Sequence, residues 1–328
     1  MAESDDMGML MQTAGGPEVL QWSSLHTPAP GSGEVRIVQR AIGVNFIDTY
    51  FRSGQYPWPS TPLIPGAEAA GVVAEVGASV KGFTVGDRVA YTIPVGAYRM
   101  QRVVPAERLV KLPDAVPFDT AASVMLKGLT AQFLLRSCYP VKAGDTVLVH
   151  AAAGGVGLLL GQWLKALGAR AIGTVGSPEK AAIAKANGYE HVIDYRAEDF
   201  AARVAQIAGP KACDVVYDSV GKDTWRGSLQ CLQVRGTFVH FGMSSGMIAD
   251  FKFSDLASGG SLYATRPTLF DYIKSPEDLA SRAADLFARL ASGEIKAHIG
   301  QRVALRDAAA AHRALEGRQT TGATVLLP

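Results

Sequence analysis

The chain has 328 residues, 48% of them hydrophobic and 19% charged, and a formal net charge of +2. That length suits about two domains with a sizeable core. No run of five or six like charges occurs, so nothing points to a nucleic-acid partner or an anionic membrane surface.

The chain begins "MAESDDMGMLMQ", acidic ahead of a short apolar run. It lacks the basic leader and long apolar core of a signal peptide. No stretch of about 18 apolar residues follows, so no membrane span is expected. Short β-rich runs then alternate with glycine and proline turns: "EVRIVQRAIGV", "AGVVAEVG", "GDRVAYTI" and "RMQRVV". This spacing indicates a barrel-like all-β unit.

Near residue 120 the texture changes to alternating strand and helix patterns. "DTVLVHA" reads as a strand, "VGLLLGQWLKALG" as a helix and "RAIGTVG" as a strand. "SPEKAAIAKANG" reads as a helix, with "EHVIDY", "CDVVYDSVG", "GTFVHFG" and "SLYATR" as further strands. The rhythm indicates α/β architecture, a parallel sheet covered by helices on both faces. "SPEDLASRAADLFARLASGE" is an amphipathic helix with Ser275 as N-cap and Pro276 in its first turn. "TGATVLLP" closes the chain as a strand. Cys138, Cys213 and Cys231 are odd in number and form no C-x-x-C pair, which fits a reduced, cytoplasmic compartment.

"HAAAGGVGLLLGQWLKALGA" carries the chemistry. A dinucleotide turn follows G-x-G-x-x-G between a strand and a helix. Here the register is Ala152-x-Gly154-x-x-Gly157, with alanine in the first place. Gly154 would let backbone approach a pyrophosphate, and Gly157 would let the helix pack on the strand. Amides at the helix start would face the anion, helped by the helix dipole. An NAD site needs an acid about 20 positions on, for the ribose 2′-hydroxyl. That place is Ser177, with Lys180 one helical turn further, so a 2′-phosphate would meet a cation. NADP(H) is therefore expected over NAD(H). Glu179 reads as an exposed first-turn acid that suits the helix dipole.

A β-rich unit ahead of a dinucleotide fold resembles the medium-chain dehydrogenase/reductase superfamily. In its zinc-dependent members a "GHE" stretch supplies a histidine ligand. In "IPGAEAAGVVAEVG" Ala67 stands in that place and Glu68 remains. Asn45, in "AIGVNFIDTYFRSGQYP", occupies the place of an upstream cysteine ligand. Neither alanine nor a neutral amide is a usual zinc ligand. A scaffold without that Lewis acid resembles the NADPH:quinone oxidoreductase family, the zeta-crystallin-like branch. "GGPEVLQ", "LKGLTAQFLLR", "VVYDSVGKDTW" and "GSLYATRPTL" are similar to its bacterial members, and the resemblance covers almost the whole chain.

The resemblance implies a GroES-like β-barrel catalytic domain at 1–124 and a Rossmann doubly wound parallel-sheet NADP-binding domain at 125–267. Residues 268–328 would return to complete the first. It implies NADPH as cofactor, with Gly154, Gly155 and Val156 at the pyrophosphate. Lys180 and Tyr195, with Arg318, would hold the 2′-phosphate, and Gly176 and Ser177 would also bind the cofactor. Asn45, Lys127, Thr130, Phe241, Met243, Ser244 and Arg266 would take the rest of the cofactor, mostly its nicotinamide end. Asn45, Asp48, Tyr50, Tyr56 and Thr130 would form the catalytic cleft, with no metal. The family commonly has asparagine where Met243 stands, so an amide has become a polarizable apolar side chain. A homodimer is implied, pairing edge strands near "SLYATR".

The implied reaction is reduction of a small quinone. A quinone is a strong electrophile whose charge, once reduced, spreads over the ring. Hydrogen-bond donors can stabilise that charge without a metal, and positioning does most of the rest. An α,β-unsaturated carbonyl is the alternative acceptor. A non-enzymatic, NADPH-binding structural or RNA-binding role is a further alternative, though no basic stripe supports RNA. Asp48 reads as orienting, since a carboxylate of ordinary pKa is a poor acid at neutral pH. No general acid is assigned, and one-electron against two-electron transfer stays open. "GMSSG" at 242–246 matches a nucleophile elbow, but no helix pattern opens directly behind it.

Overall fold

The computed structural model describes residues 6–328, and the acidic opening Met1–Asp5 lies outside them. The first stretch is largely strand, as its alternating pattern indicates. It contains β1 (Asp6–Leu10), β2 (Gln21–Leu25), β3 (Glu34–Val44), α1 (Phe46–Arg52), β4 (Glu68–Val76), β5 (Arg88–Thr92), β6 (Gln101–Pro105) and β7 (Leu109–Lys111). β3 is the organising strand. On one side it pairs with β4 along most of its length, and on the other with β6 along its first half. Its burial alternates through Gln39 and is continuous from Ala41, where the sheet is covered on both faces.

α2 (Phe118–Phe133) follows. It is absent from the sequence reading because it is buried on nearly every side beyond its first turn. A helix without a polar face carries no amphipathic period.

The next stretch alternates strand and helix: β8 (Thr146–Val149), α3 (Gly155–Ala166), β9 (Arg170–Val175), α4 (Pro178–Ala186), β10 (His191–Asp194), α5 (Phe200–Ala208), β11 (Cys213–Asp218), α6 (Trp225–Cys231), β12 (Leu232–His240), α7 (Phe253–Gly260), β13 (Tyr263–Thr265) and α8 (Leu269–Tyr272). Every pairing is parallel, in the order β10-β9-β8-β11-β12-β13. This is the Rossmann doubly wound sheet, with its direction of winding reversed between β8 and β11.

The chain ends with α9 (Pro276–Ser292), β14 (Ile299–Ala304), α10 (Ala308–Glu316) and β15 (Ala323–Leu327). Ser275 caps α9 as its sequence indicates, its Oγ accepting from the Asp278 amide at 3.1 Å. β15 pairs with the second half of β3 and completes the sheet β14-β15-β3-β4-β5-β7.

Two compact units result. The first takes the described residues up to Leu126 with Ile273–Ala291 and Ala297–Pro328, and the second takes Lys127–Tyr272 with Ser292–Lys296. Each has its own apolar core: Met9, Ile37, Ile42, Val73, Tyr91 and Leu326 in the first, Leu148, Ile172, Val216, Trp225 and Phe238 in the second. No helix among the described residues is long and apolar enough to cross a membrane.

Candidate active site

In the second unit the turn after β8 is shaped by packing at one glycine and by openness at another. A Cβ on Gly157 would lie 2.4 Å from the Ala151 carbonyl oxygen and 2.8 Å from the Ala152 carbonyl carbon. Glycine there lets α3 sit against the strand. Gly154 differs. Its φ is −78°, open to any residue, and its Cβ would meet only the Ala151 oxygen, at 3.2 Å. The protein's own packing therefore does little to demand glycine at 154. The tight bend falls at Ala151, with a left-handed φ of 54°. Ala152, in the first glycine's place, packs its methyl over Gly173. No side chain caps α3, so its first amides, including those of Gly155 and Val156, have no intrahelical acceptor. A helix start of this form suits a pyrophosphate.

Of the residues expected at the 2′-phosphate, Gly176, Ser177, Lys180 and Tyr195 follow the ends of the next two strands. Gly176 follows β9 and Tyr195 follows β10, the Tyr195 amide donating to Val175 at 3.0 Å. A Cβ on Gly176 would lie 2.6 Å from the Tyr195 hydroxyl and 3.4 Å from Arg196 Nε. Ser177 is the N-cap of α4, its Oγ accepting from the Lys180 amide at 3.3 Å. A hydrogen bond from the same Ser177 holds the exposed Glu179 carboxyl below its usual range, which keeps it an anion of the first turn. Ser177, Lys180 and Tyr195 thus share one strand-end neighbourhood with Arg196, which the sequence reading missed. Arg318 belongs to the first unit, just past α10, with a left-handed φ of 56°.

Phe241, Met243 and Ser244 form a loop at the end of β12, and Arg266 follows β13. The loop is tied to the end of β11: Phe241 donates its amide to Asp218 O at 2.9 Å and Ser244 to Ser219 O at 3.1 Å. Met243 is buried, and no helix opens until α7, so the "GMSSG" stretch is no strand–turn–helix elbow. Lys127 and Thr130 are buried on α2.

A buried hub, also missed, braces these strand ends. Asp218 Oδ1 accepts from the amides of Val220 and Gly221 at 2.8 and 2.9 Å, and Oδ2 from Thr224 Oγ1 and Ser228 Oγ at 2.7 and 3.0 Å. Ser228 spends its proton on Asp218 and so accepts from His150 Nε2 at 2.9 Å. His150 Nδ1 then accepts from Thr174 Oγ1 at 2.9 Å. Burial pushes the imidazole pKa down, so it is neutral. Serine lies between histidine and aspartate, the wrong order for a nucleophile. The network ties β8 to β9, β11 and α6 at the root of the glycine turn.

In the first unit Asn45 is the N-cap of α1 and is buried. Its side-chain amide donates to Glu68 Oε1 at 2.9 Å, and Glu68 Oε2 accepts the Leu126 amide at 2.6 Å. Asp48 is fully buried, and its Oδ2 accepts the Asn45 backbone amide at 2.8 Å and the Tyr98 hydroxyl at 2.9 Å. Tyr50 and Tyr56 meet edge to face with centroids 5.4 Å apart, and Phe46 flanks Tyr50 at 6.4 Å. Phe46 and Tyr50 are on α1, which Asn45 caps, and Tyr56 follows that helix, so the three rings form one angled aromatic cluster. Ala67 is wholly buried and offers only a methyl. Among the described residues no group of three or more His, Cys, Asp or Glu side chains is placed to hold a metal ion.

Residues 31–114 match the alcohol dehydrogenase GroES-like domain, and residues 155–279 match the zinc-binding dehydrogenase family. A quinone oxidoreductase of Pseudomonas aeruginosa is 53% identical over 315 residues, 96% of this chain and 97% of that protein. The chain belongs to the quinone oxidoreductase family of the medium-chain dehydrogenase/reductase superfamily. As a quinone oxidoreductase family member it is an oxidoreductase. The structure of the Escherichia coli quinone oxidoreductase complexed with NADPH superposes with a TM-score of 0.95 at 46% identity, over 98% of this chain and 100% of that one. A 2-haloacrylate reductase of a Burkholderia species is 44% identical over 330 residues, 98% of this chain and 99% of that protein.

Proposed function

We propose that the protein reduces quinones with NADPH and without a metal ion. The observation that carries this is the buried Asn45–Glu68 pair, which holds a neutral amide donor where zinc-dependent relatives place a metal ligand. A carboxylate can only accept, so the nitrogen of the Asn45 carboxamide faces Glu68. That nitrogen has two protons. One goes to Glu68 and the other is left for the oxygen of an acceptor.

When bound, NADPH supplies the hydride. Gly154 and the first amides of α3, at Gly155 and Val156, receive the pyrophosphate. Gly176, Ser177, Lys180 and Tyr195 receive the 2′-phosphate, Lys180 as the principal cation. Lys127, Thr130, Phe241, Met243, Ser244 and Arg266 receive the nicotinamide end. Tyr50 and Tyr56 supply an aromatic surface and hydroxyl donors for the acceptor, and Asp48 orients Asn45. These dipoles are fixed before the reaction, which is what makes them effective toward charge spread over a ring. The test is NADPH oxidation followed with a quinone, an enal and an alcohol as separate acceptors, with metal analysis on the same sample. Turnover of the quinone in metal-free protein supports the proposal. Loss of activity to chelators, with a stoichiometric transition metal in the active sample, overturns it.

Reduction of an activated alkene is the second reading. The 2-haloacrylate reductase relative supports it, and so does the apolar Met243 in place of an amide. Turnover of the enal alone would select it.

A homodimer and a cytoplasmic setting complete the proposal. β13 ends its sheet with one edge unpaired among the described residues. Tyr263 on it is 62% exposed and Val234 on the neighbouring β12 is 63% exposed, an apolar strand edge suited to a second copy. A monomer at micromolar concentration by size exclusion removes the dimer. Cys138, Cys213 and Cys231 form no disulfide, which suits a reducing compartment, and burial pushes the Cys213 thiol up to about 12, where it is inert.

A further inference from the structure

The Asn45 backbone is held by a chain of buried side chains that reaches to the carboxyl-terminal helix. Arg52 has donors only, and its Nη1 lies 3.2 Å from His312 Nδ1, so Nδ1 accepts. The imidazole proton therefore sits on Nε2 and is donated to the Tyr98 oxygen at 3.0 Å. Tyr98 in turn donates to Asp48 Oδ2 at 2.9 Å, the oxygen that accepts the Asn45 amide at 2.8 Å. The far end is closed by Glu316, which accepts from both Arg52 terminal nitrogens at 2.8 and 2.6 Å. Tyr98, His312 and Asp48 are each 0% exposed and Arg52 is 3% exposed. The Tyr98 and His312 rings meet edge-on at 83°.

Every bond in this chain has one possible direction. It is no proton wire, because Arg52 does not release a proton and His312 Nδ1 is occupied by it. Burial and the neighbouring Arg52 also hold His312 down to about 3, so it stays neutral. A buried polar chain of this kind adds little net stability over an apolar filling of the same shape. What it supplies is a single geometry.

We propose that Tyr98 and His312 are positioning residues for Asn45, fixing through Asp48 the backbone from which the Asn45 carboxamide reaches Glu68 and the acceptor. The inference rests on the proposed role of Asn45 at the acceptor.

The chain has two asparagines, Asn45 and Asn187, so labelling with ¹⁵N-asparagine gives two side-chain amides. Asn187 donates to Ile183 O at 2.8 Å on α4 and serves as the internal reference. In the full chain without cofactor, Tyr98→Phe and His312→Leu should each speed hydrogen exchange of the Asn45 side-chain amide by about tenfold, with Asn187 unchanged. His312→Gln keeps a donor toward Tyr98 and should restore the parental rate. In turnover, Tyr98→Phe should lower kcat on the order of tenfold with KM for NADPH within about twofold. Added to Asn45→Ala, it should give no further loss, because it acts through that residue. Parental Asn45 exchange in both variants, or losses that multiply in the double variant, overturns the inference. If Tyr98→Phe does not fold, the His312→Leu and His312→Gln pair decides the same question. A crippled Asn45→Ala beside a healthy Tyr98→Phe sinks this inference alone, whereas a healthy Asn45→Ala sinks the role of Asn45 on which it rests.

Discussion

Glu68 Oε1 accepts the side-chain amide of Asn45 at 2.9 Å, and Glu68 is wholly buried. The room for this carboxylate comes from a third residue. A Cβ on Gly43 would lie 2.3 Å from Glu68 Oε1 and 2.3 Å from the Ala122 oxygen. Glu68→Ala should orphan the Asn45 and Leu126 donors at about 1–3 kcal/mol each and lower kcat at least tenfold. Gly43→Ala should reproduce part of both effects by displacing the carboxylate. Urea unfolding and turnover on the same samples check this, and an active, fully stable Glu68→Ala would remove Glu68 from the site.

The two glycines of the turn should separate by readout. Gly157→Ala forces the helix off the strand, so it should lower stability by about 1–3 kcal/mol, as overpacking does. Gly154→Ala meets one contact at 3.2 Å and should leave stability within about 0.5 kcal/mol while weakening NADPH binding at least tenfold. Thermal unfolding and cofactor titration distinguish them. Equal stability losses at both positions would mean that Gly154 is a packing glycine too.

Lys180→Glu should weaken NADPH by on the order of 100-fold and NADH by less than about threefold, because only the 2′-phosphate meets the reversed charge. The contrast should shrink at high salt. Equal loss for both cofactors would place Lys180 elsewhere.

His312 sets a pH dependence of stability. Its folded pKa of about 3 lies below the ordinary histidine value of 6.5, so in the window between them the unfolded chain binds a proton that the folded chain does not. Stability from this group is fully present above about pH 6.5 and declines as pH falls toward 3, by up to about 1.4 kcal/mol per pH unit. His150, also pushed down by burial, adds in the same direction. Denaturant unfolding at pH 7, 6, 5 and 4 should show His312→Gln with a shallower slope than the parent. Identical slopes would show that His312 is not the group being protonated.

Much of the fold was legible because two periods changed near residue 120, from short alternating strands to strand–helix repeats. The glycine turn was legible for a local reason: pyrophosphate binding needs small residues at fixed spacing between a strand and a helix. α1 and α2 were not. α1 is a single short helix inside a strand-rich stretch, and α2 lacks a polar face. The left-handed bend of the turn, at Ala151, lies one residue ahead of the fingerprint and carries no sequence signal of its own.

The sequence by itself determined the two architectures, the dinucleotide turn, the absence of a carboxylate at 177 and the loss of zinc-ligand residue types at 45 and 67. Each of these is written in neighbouring residues, where local backbone geometry and residue chemistry suffice. Only the tertiary structure decided that Glu68 holds Asn45, that Gly43 makes room for it, that Arg196 joins Tyr195 at Gly176, and that Tyr98 and His312 close on Asp48. Those partners are as many as 214 positions apart. Gly43 and Glu68 meet through the pairing of β3 with β4, and His312 reaches Tyr98 only through the return of the chain end to β3; no local pattern encodes a contact whose two ends are brought together by the folding of everything between them.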